Sequence, residues 1–298
     1  MQDPGLTEDR VLGMSRTRLA GLLASPVAWI AVSATAVAVV YTAYVWLIPV
    51  AAAQVADSVP VAWEAQLGRA VTAQLVGSRR VSRGRVANRA VERITDRLLS
   101  AHPANPYNIT VTIINDPTEN AFAAPGGRIV VFTGLMRRME TPEQLAGVLA
   151  HELQHVLHRH GTRSIFQQSA VAVLASVLGG DSGSSMTAAM DGVSTMGALA
   201  YSRRYEREAD AAAVEMLRRA RVDVRGMVEF FQSVGASEEA ELGALSYFST
   251  HPATSSRIAS IEAIARDHDY VARPLMTPEE WTAAVHDARR YRAARGDR

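Results

Sequence analysis

The 298-residue chain contains no cysteine. Disulfides, thiolate metal sites and cysteine nucleophiles are therefore excluded, and any zinc must be held by imidazole and carboxylate groups. The absence of cysteine also suits an oxidising compartment. Aromatic residues are scarce, at 6%, and stacking on nucleic-acid bases needs aromatic platforms. A net charge of +1 adds no global attraction for polyanions, so no nucleic acid is expected as a partner. No internal repeat or low-complexity segment is evident. What the chain has in quantity is apolar side chain, 48% of its residues. That suffices for one sizeable core, with little room for a second domain.

One stretch lacks charge altogether. Val27 to Pro49, VAWIAVSATAVAVVYTAYVWLIP, is long enough to cross a hydrocarbon layer of about 30 Å. Trp29 and Trp46 lie near its ends, where interfacial aromatics belong. The competing reading is a signal peptide, with Ala51-Ala52-Ala53 as a small-residue cleavage site. A signal core runs only about 7–15 residues, however, so the expectation is an uncleaved, single-pass anchor over 27–49 in contact with the lipid bilayer. Arg10, Arg16 and Arg18 precede it, whereas Asp57 and Glu64 follow it before any arginine. The positive-inside bias then predicts a cytoplasmic segment 1–26 in the inner membrane, with the rest of the chain on the extracytoplasmic side. Residues 50–63 read as a linker and 64–298 as the globular domain.

The densest chemistry lies in TPEQLAGVLAHELQHVLHRHGTR, Thr141 to Arg163. Thr141, Pro142 and Gln144 form a capping box, apolar residues recur at helical spacing, and Gly161 is a natural stop, giving a helix of about five turns. Residues four apart share a face, so His151 and His155 point the same way with Glu152 on the flank. Two neutral imidazoles in H-E-x-x-H can bind one zinc ion, and the adjacent carboxylate can take a proton from water. The same five residues also recur by chance on ordinary helices. His158 reads as solvated or as a support to a ligand, and His160, on the opposite face, as packing or capping.

A third ligand is needed. In YSRRYEREADAAAVEML, Tyr201 to Leu217, Glu206 and Asp210 lie four apart on one face while Glu208 points elsewhere. Glu206 can reach a metal, and Asp210 can accept the outer N–H of a ligating histidine and fix its tautomer. A charged surface helix is the plainer alternative, but the alanines at 209 and 211–213 suggest close packing.

HELQH followed by Ser202, Arg203, Glu206, Ala209 and Asp210 resembles the membrane-associated gluzincin peptidases. That is the family of the HtpX-like heat-shock proteases, the CAAX prenyl proteases and the mitochondrial inner-membrane quality-control proteases. Asn120 to Met136 is similar to the family's edge strand and hairpin, and Thr250 to Ile258 to its late H-P-x-x-x-x-R segment; the likeness covers roughly Glu64 to Ile261. It implies one Zn2+ per chain, held by His151, His155 and Glu206, with Glu152 as general base. It also implies substrate pairing along Asn120, Ala121, Phe122 and Ala123, and unfolded or damaged membrane and envelope proteins as substrates.

Around these motifs the sequence predicts a mainly α fold with a small antiparallel β-sheet (α+β). Strands are expected at 108–114 and 128–132, flanking a short, small-sided segment at 121–124 that suits either an exposed edge or a blunted hairpin. Residues 82–100 read as a helix whose arginines at 85, 89, 93 and 97 form a solvated face, or a face for anionic lipid heads. Ile165 to Leu199 is apolar but too short before its Gly/Ser loop to span a bilayer; it reads as a buried hairpin, a lid or a membrane-dipping element. Thr277-Pro278-Glu279-Glu280 opens a last helix, with Trp281, Val285 and Ala288 on a docking face. His251, held extended by the following proline, is the candidate oxyanion donor or self-inhibiting ligand, with a structural role as the alternative; Arg257 is the second donor candidate. The function expected is zinc-dependent endopeptidase. The rival is a zinc-stabilised chaperone or assembly factor that binds polypeptide without cutting it.

Overall fold

A computed structural model describes residues 25–179, 202–238, 247, 251, 255–266 and 270–290. The arginines at 10, 16 and 18, the Gly/Ser loop after Gly179 and the tail beyond Arg290 lie outside them. The chain forms two compact units, residues 1–51 and 52–298. The first carries most of helix α1, Pro26–Ser58, 33 residues with a π-turn at Ala43–Leu47. At about 1.5 Å per residue this helix is long and apolar enough to cross a membrane, and most of its large apolar side chains, Trp29 and Trp46 among them, are exposed. The expected linker is helical as far as Ser58, breaking only before α2, Val61–Val76.

The second unit opens with α2, the two-residue strand β1 (Arg80–Val81) and α3 (Arg85–Leu99). Strands β2 (Thr110–Asn115), β3 (Ala121–Ala124) and β4 (Arg128–Phe132) follow. Their order is β1-β2-β4-β3. The sheet is mixed, not wholly antiparallel as expected. β3 turns back on the outside of β4, so β4 slots beside β2 and runs parallel to it, from Thr110↔Arg128 to Ile114↔Phe132. The β3–β4 turn needs left-handed backbone at Gly126 (φ 72°) and Gly127 (φ 92°). A Cβ on Gly126 would sit 2.4 Å from the Ala65 backbone, so α2 packs directly on this turn.

After α4, Thr133–Arg138, comes α5, Pro142–Leu157, buried along almost its whole length. Thr141 Oγ1 accepts from Gln144 N at 3.3 Å, and Gln144 Oε1 reaches back to Glu140 N at 2.9 Å. α5 packs on β3 and against α7 (Arg203–Arg219) and α8 (Arg225–Glu238). Its crossing with α8 is so close that a Cβ on Gly147 would meet Met227 Cα at 2.7 Å. α5 does not run to Gly161. Arg159 takes φ 57°, and α6, His160–Gly179, starts in a new direction with Gly161 inside it.

α9, Ser255–Arg266, and α10, Pro278–Arg290, complete the fold. α10 has a reciprocal capping box, Thr277 with Glu280, and docks through buried Trp281. Its Asp287 accepts from Val86 N at 2.7 Å and Ala87 N at 3.1 Å, capping α3 across the fold.

Candidate active site

α5 and α7 lie side by side, and their inward faces bring His151, His155 and Glu206 together. His151 Nε2 is 2.9 Å from His155 Nε2 and 3.4 Å from Glu206 Oε2, while His155 Nε2 is 3.6 Å from Glu206 Oε1. A fourth group enters from the C-terminal part of the chain: His251 Nδ1 lies 3.3 Å from His151 Nε2 and 3.1 Å from Glu206 Oε1. All four are buried, with ligand atoms within 4.8 Å of one another. One ring proton can satisfy one such contact, not all of them. Lone pairs converging in this way fit a divalent cation of the imidazole and carboxylate class.

The ligands are braced from outside. Asp210 Oδ1 lies 3.0 Å from His151 Nδ1, the outer nitrogen of that ring, placed to hold a proton there while the inner nitrogen faces the cluster. Arg257 grips Asp210 with two bonds of 2.7 and 2.8 Å and reaches Glu206 Oε2 at 2.8 Å. Burial alone would lower the His151 pKa, but hydrogen bonds to Asp210 and Glu206 raise it to about 9. Burial, then the neighbouring His151 charge, pushes His155 well below its usual value. Burial would raise the Glu206 carboxyl, yet His251 and His151 hold it below the carboxylate range. Burial would raise Asp210 too, yet Arg257 and His151 together lower it. The carboxylates that keep a proton on His151 would be neutralised equally well by a metal ion, and metal binding then releases that proton.

Glu152, the next residue on α5, is fully buried, with His251 Nε2 3.4 Å from its Oε1. The Tyr247 hydroxyl donates to the same oxygen at 2.9 Å, and burial, then the Glu152 charge, pushes the Tyr247 pKa well above 10. Tyr247 was not singled out from the sequence. The signal was its spacing of four residues from His251: Tyr247 O accepts from His251 N at 3.1 Å, and the two rings stack at 4.6 Å. His160 was also misplaced. The kink at Arg159 carries it from the far side of the helix to His155, with Nδ1 to Nδ1 at 2.9 Å.

The other expected residues fall out differently. Arg257 is not free to meet a substrate, because its guanidinium is engaged by Asp210 and Glu206. β3 is an edge in the strand order but not an exposed one: Asn120, Ala121, Phe122 and Ala123 are all buried. Phe122 packs with Phe132, Val130 and Val71 on one face, and Ala121 and Ala123 join the main core on the other. Asn120 stands closest to the cluster in connectivity, since its neighbour Glu119 accepts from Tyr247 N at 2.9 Å. Its side-chain amide is buried without a hydrogen-bond partner among the described residues.

Comparison with known proteins agrees with this geometry. The model of peptidase family M48 matches residues 85–265, more than half of the chain, with all four clustered residues inside. The mitochondrial metalloendopeptidase OMA1 of Schizosaccharomyces pombe is 30% identical over 172 residues, 58% of this chain and 51% of that protein. Its Arabidopsis thaliana counterpart is 34% identical over 151 residues, 49% and 30% of the two chains. The beta-barrel assembly-enhancing protease of Escherichia coli is 28% identical over 223 residues, 72% and 45%. The chain thus spans about half or less of the length of these relatives. With a matched segment that holds the whole cluster and its braces, the chain belongs to the metallopeptidases of family M48.

Proposed function

We propose that the chain is a membrane-anchored zinc endopeptidase that hydrolyses unfolded or damaged membrane and envelope proteins. The observation that carries this reading is the convergence of His151, His155 and Glu206 beside Glu152, with Arg257 and Asp210 behind them. In it, His151, His155 and Glu206 would hold one zinc ion, which would supply Lewis acidity and activate a water. Glu152 takes the proton of the attacking water at its carboxylate and passes it to the leaving amine nitrogen. The Tyr247 hydroxyl orients Glu152. Asp210 fixes the His151 tautomer, and Arg257 positions Asp210 and Glu206 without touching substrate.

His251 has two places in this scheme. Its Nδ1 stands beside His151 Nε2 and Glu206 Oε1, where it would serve as a further ligand and keep water out at rest. Moved back, the same imidazole donates to the oxyanion. Substrate enters along the β3 edge, with Asn120 to Ala123 contributing backbone pairing, so the elements that bury β3 must yield to it. Loss of the ring in His251→Ala is then expected to lower the rate at saturating substrate while admitting water to the metal. A faster variant would leave only the inhibitory role. The anchor over 27–49 sits in the inner membrane with residues 1–26 cytoplasmic. A reporter active only outside the cytoplasm, fused after Arg298, is expected to be active.

Casein hydrolysis by the purified full chain tests the enzymatic reading. Glu152→Gln should abolish hydrolysis, by about 10²–10⁴-fold for a general base, with zinc content unchanged. Polypeptide binding with no hydrolysis in the wild type would favour the assembly-factor reading instead.

A further inference from the structure

A second group of ligand-type side chains meets at the break between α5 and α6. Arg159, at φ 57°, is pinned there by the Tyr107 hydroxyl at 2.9 Å, the Val59 carbonyl at 3.0 Å and the Ala56 carbonyl. The reversal turns His158 and His160 towards each other, with ring centroids 5.5 Å apart. Glu208 on α7 faces both: its carboxylate is 3.5 Å from His160 Nε2 and 4.0 Å from His158 Nδ1. The three ligand atoms lie within 4.8 Å of one another.

These separations are too long for N–H···O hydrogen bonds. The shorter is close to what a tetrahedral ion needs, since metal bonds of about 2.0–2.1 Å put neighbouring ligand atoms about 3.4 Å apart, and the longer closes by rotation of the partly exposed His158 and Glu208 side chains. The catalytic cluster is tighter, with spacings of 2.9 to 3.6 Å. His158 Nδ1 adds an independent sign, because it is buried and has no hydrogen-bond partner among the described residues. The site is reachable, as the side chains of His158 and Glu208 are 33% and 39% exposed.

We propose that His158, His160 and Glu208 form a second divalent-cation site, for zinc or another borderline transition metal, filled after the catalytic cluster is loaded. Its effect on hydrolysis rests on the reading of the first cluster as a zinc centre; the binding itself does not. The two sites share a hydrogen bond, His155 Nδ1 to His160 Nδ1 at 2.9 Å. A cation on His155 Nε2 leaves that ring's proton on Nδ1, to be donated to His160. A cation on His160 Nε2 leaves its proton on Nδ1, to be donated to His155. With both ions bound, two N–H groups face each other at this contact with no acceptor between them, so the hydrogen bond is lost and the rings are pushed apart. The sites therefore oppose each other, and excess metal inhibits the enzyme through the second.

The test uses the full chain in detergent, loaded with one zinc and titrated with cobalt and with zinc. Bound equivalents, the visible cobalt spectrum and casein hydrolysis are read together, in the wild type and in His158→Ala and Glu208→Gln. The wild type is expected to bind a second equivalent and lose activity as it fills. Both variants should keep the first zinc and basal hydrolysis, bind the second ion about 10–100-fold more weakly, and resist inhibition. Absence of a second equivalent at millimolar metal would overturn the proposal. So would unchanged second binding and inhibition in both variants, which would place the inhibitory ion on the catalytic cluster. A chain that never hydrolyses casein would fail the enzymatic reading alone, because the stoichiometry still reports on the second site.

Discussion

Two clusters on neighbouring stretches of the chain carry the same ligand types, two imidazoles and a carboxylate, and differ in what surrounds them. His151, His155 and Glu206 are sealed in the core, and an aspartate and an arginine hold them from behind. His158, His160 and Glu208 lie only two to seven residues further along, yet Glu208 is 39% exposed and His158 Nδ1 has no brace among the described residues. Ligand identity is thus the smaller part of a catalytic metal centre. The larger part is the shell that fixes each ring and carboxylate before the ion arrives.

Removing a ligand sharpens the contrast most. Glu206→Gln should abolish both zinc retention and hydrolysis, read by metal analysis of the purified chain. Removing the brace comes next. Arg257→Met leaves Asp210 and Glu206 as buried carboxylates without their cation, and a broken buried pair costs about 3–5 kcal/mol. Denaturant unfolding of the zinc-free variant should show a loss of that size, partly recovered on adding zinc. Arg257→Lys should not rescue it, since one ammonium cannot replace a fork that grips two carboxylates. Asp210→Asn removes the acceptor charge behind His151 and one carboxylate partner of Arg257, and competition with a chelator should find zinc affinity lowered about 10–100-fold. Glu208→Gln should leave catalytic zinc and basal hydrolysis unchanged. Loss of the first zinc in that variant would erase the distinction between the two clusters.

Much of the first cluster was legible in the sequence because its logic is local. A capped helix fixes i and i+4 on one face, so His151 with His155, and Glu206 with Asp210, follow from spacing once the segments are read as helices, as Thr141 marks for the first. Where the chain leaves that regularity, spacing stops informing. A helix continued to Gly161 puts His160 on the far face; the left-handed Arg159, held by groups from α1, α2's entry and Tyr107, reverses it. The parallel β2–β4 pair and the burial of β3 depend on which strand slots beside which and on what covers the edge, and neither is a property of a single segment. Arg257 belongs to the same class. Its charge suggests a substrate contact until α7 is known to place two carboxylates in its path.

The claim at the centre is that one zinc sits among His151, His155 and Glu206, with His251 as its fourth ligand at rest. Zinc K-edge absorption on the full chain in detergent tests it most directly, comparing wild type with His251→Ala. The expected wild-type shell is three imidazoles and one carboxylate. The variant should keep its zinc but show two imidazoles and an added water oxygen. Identical spectra from the two proteins, or a wild type that holds no zinc, would contradict the claim.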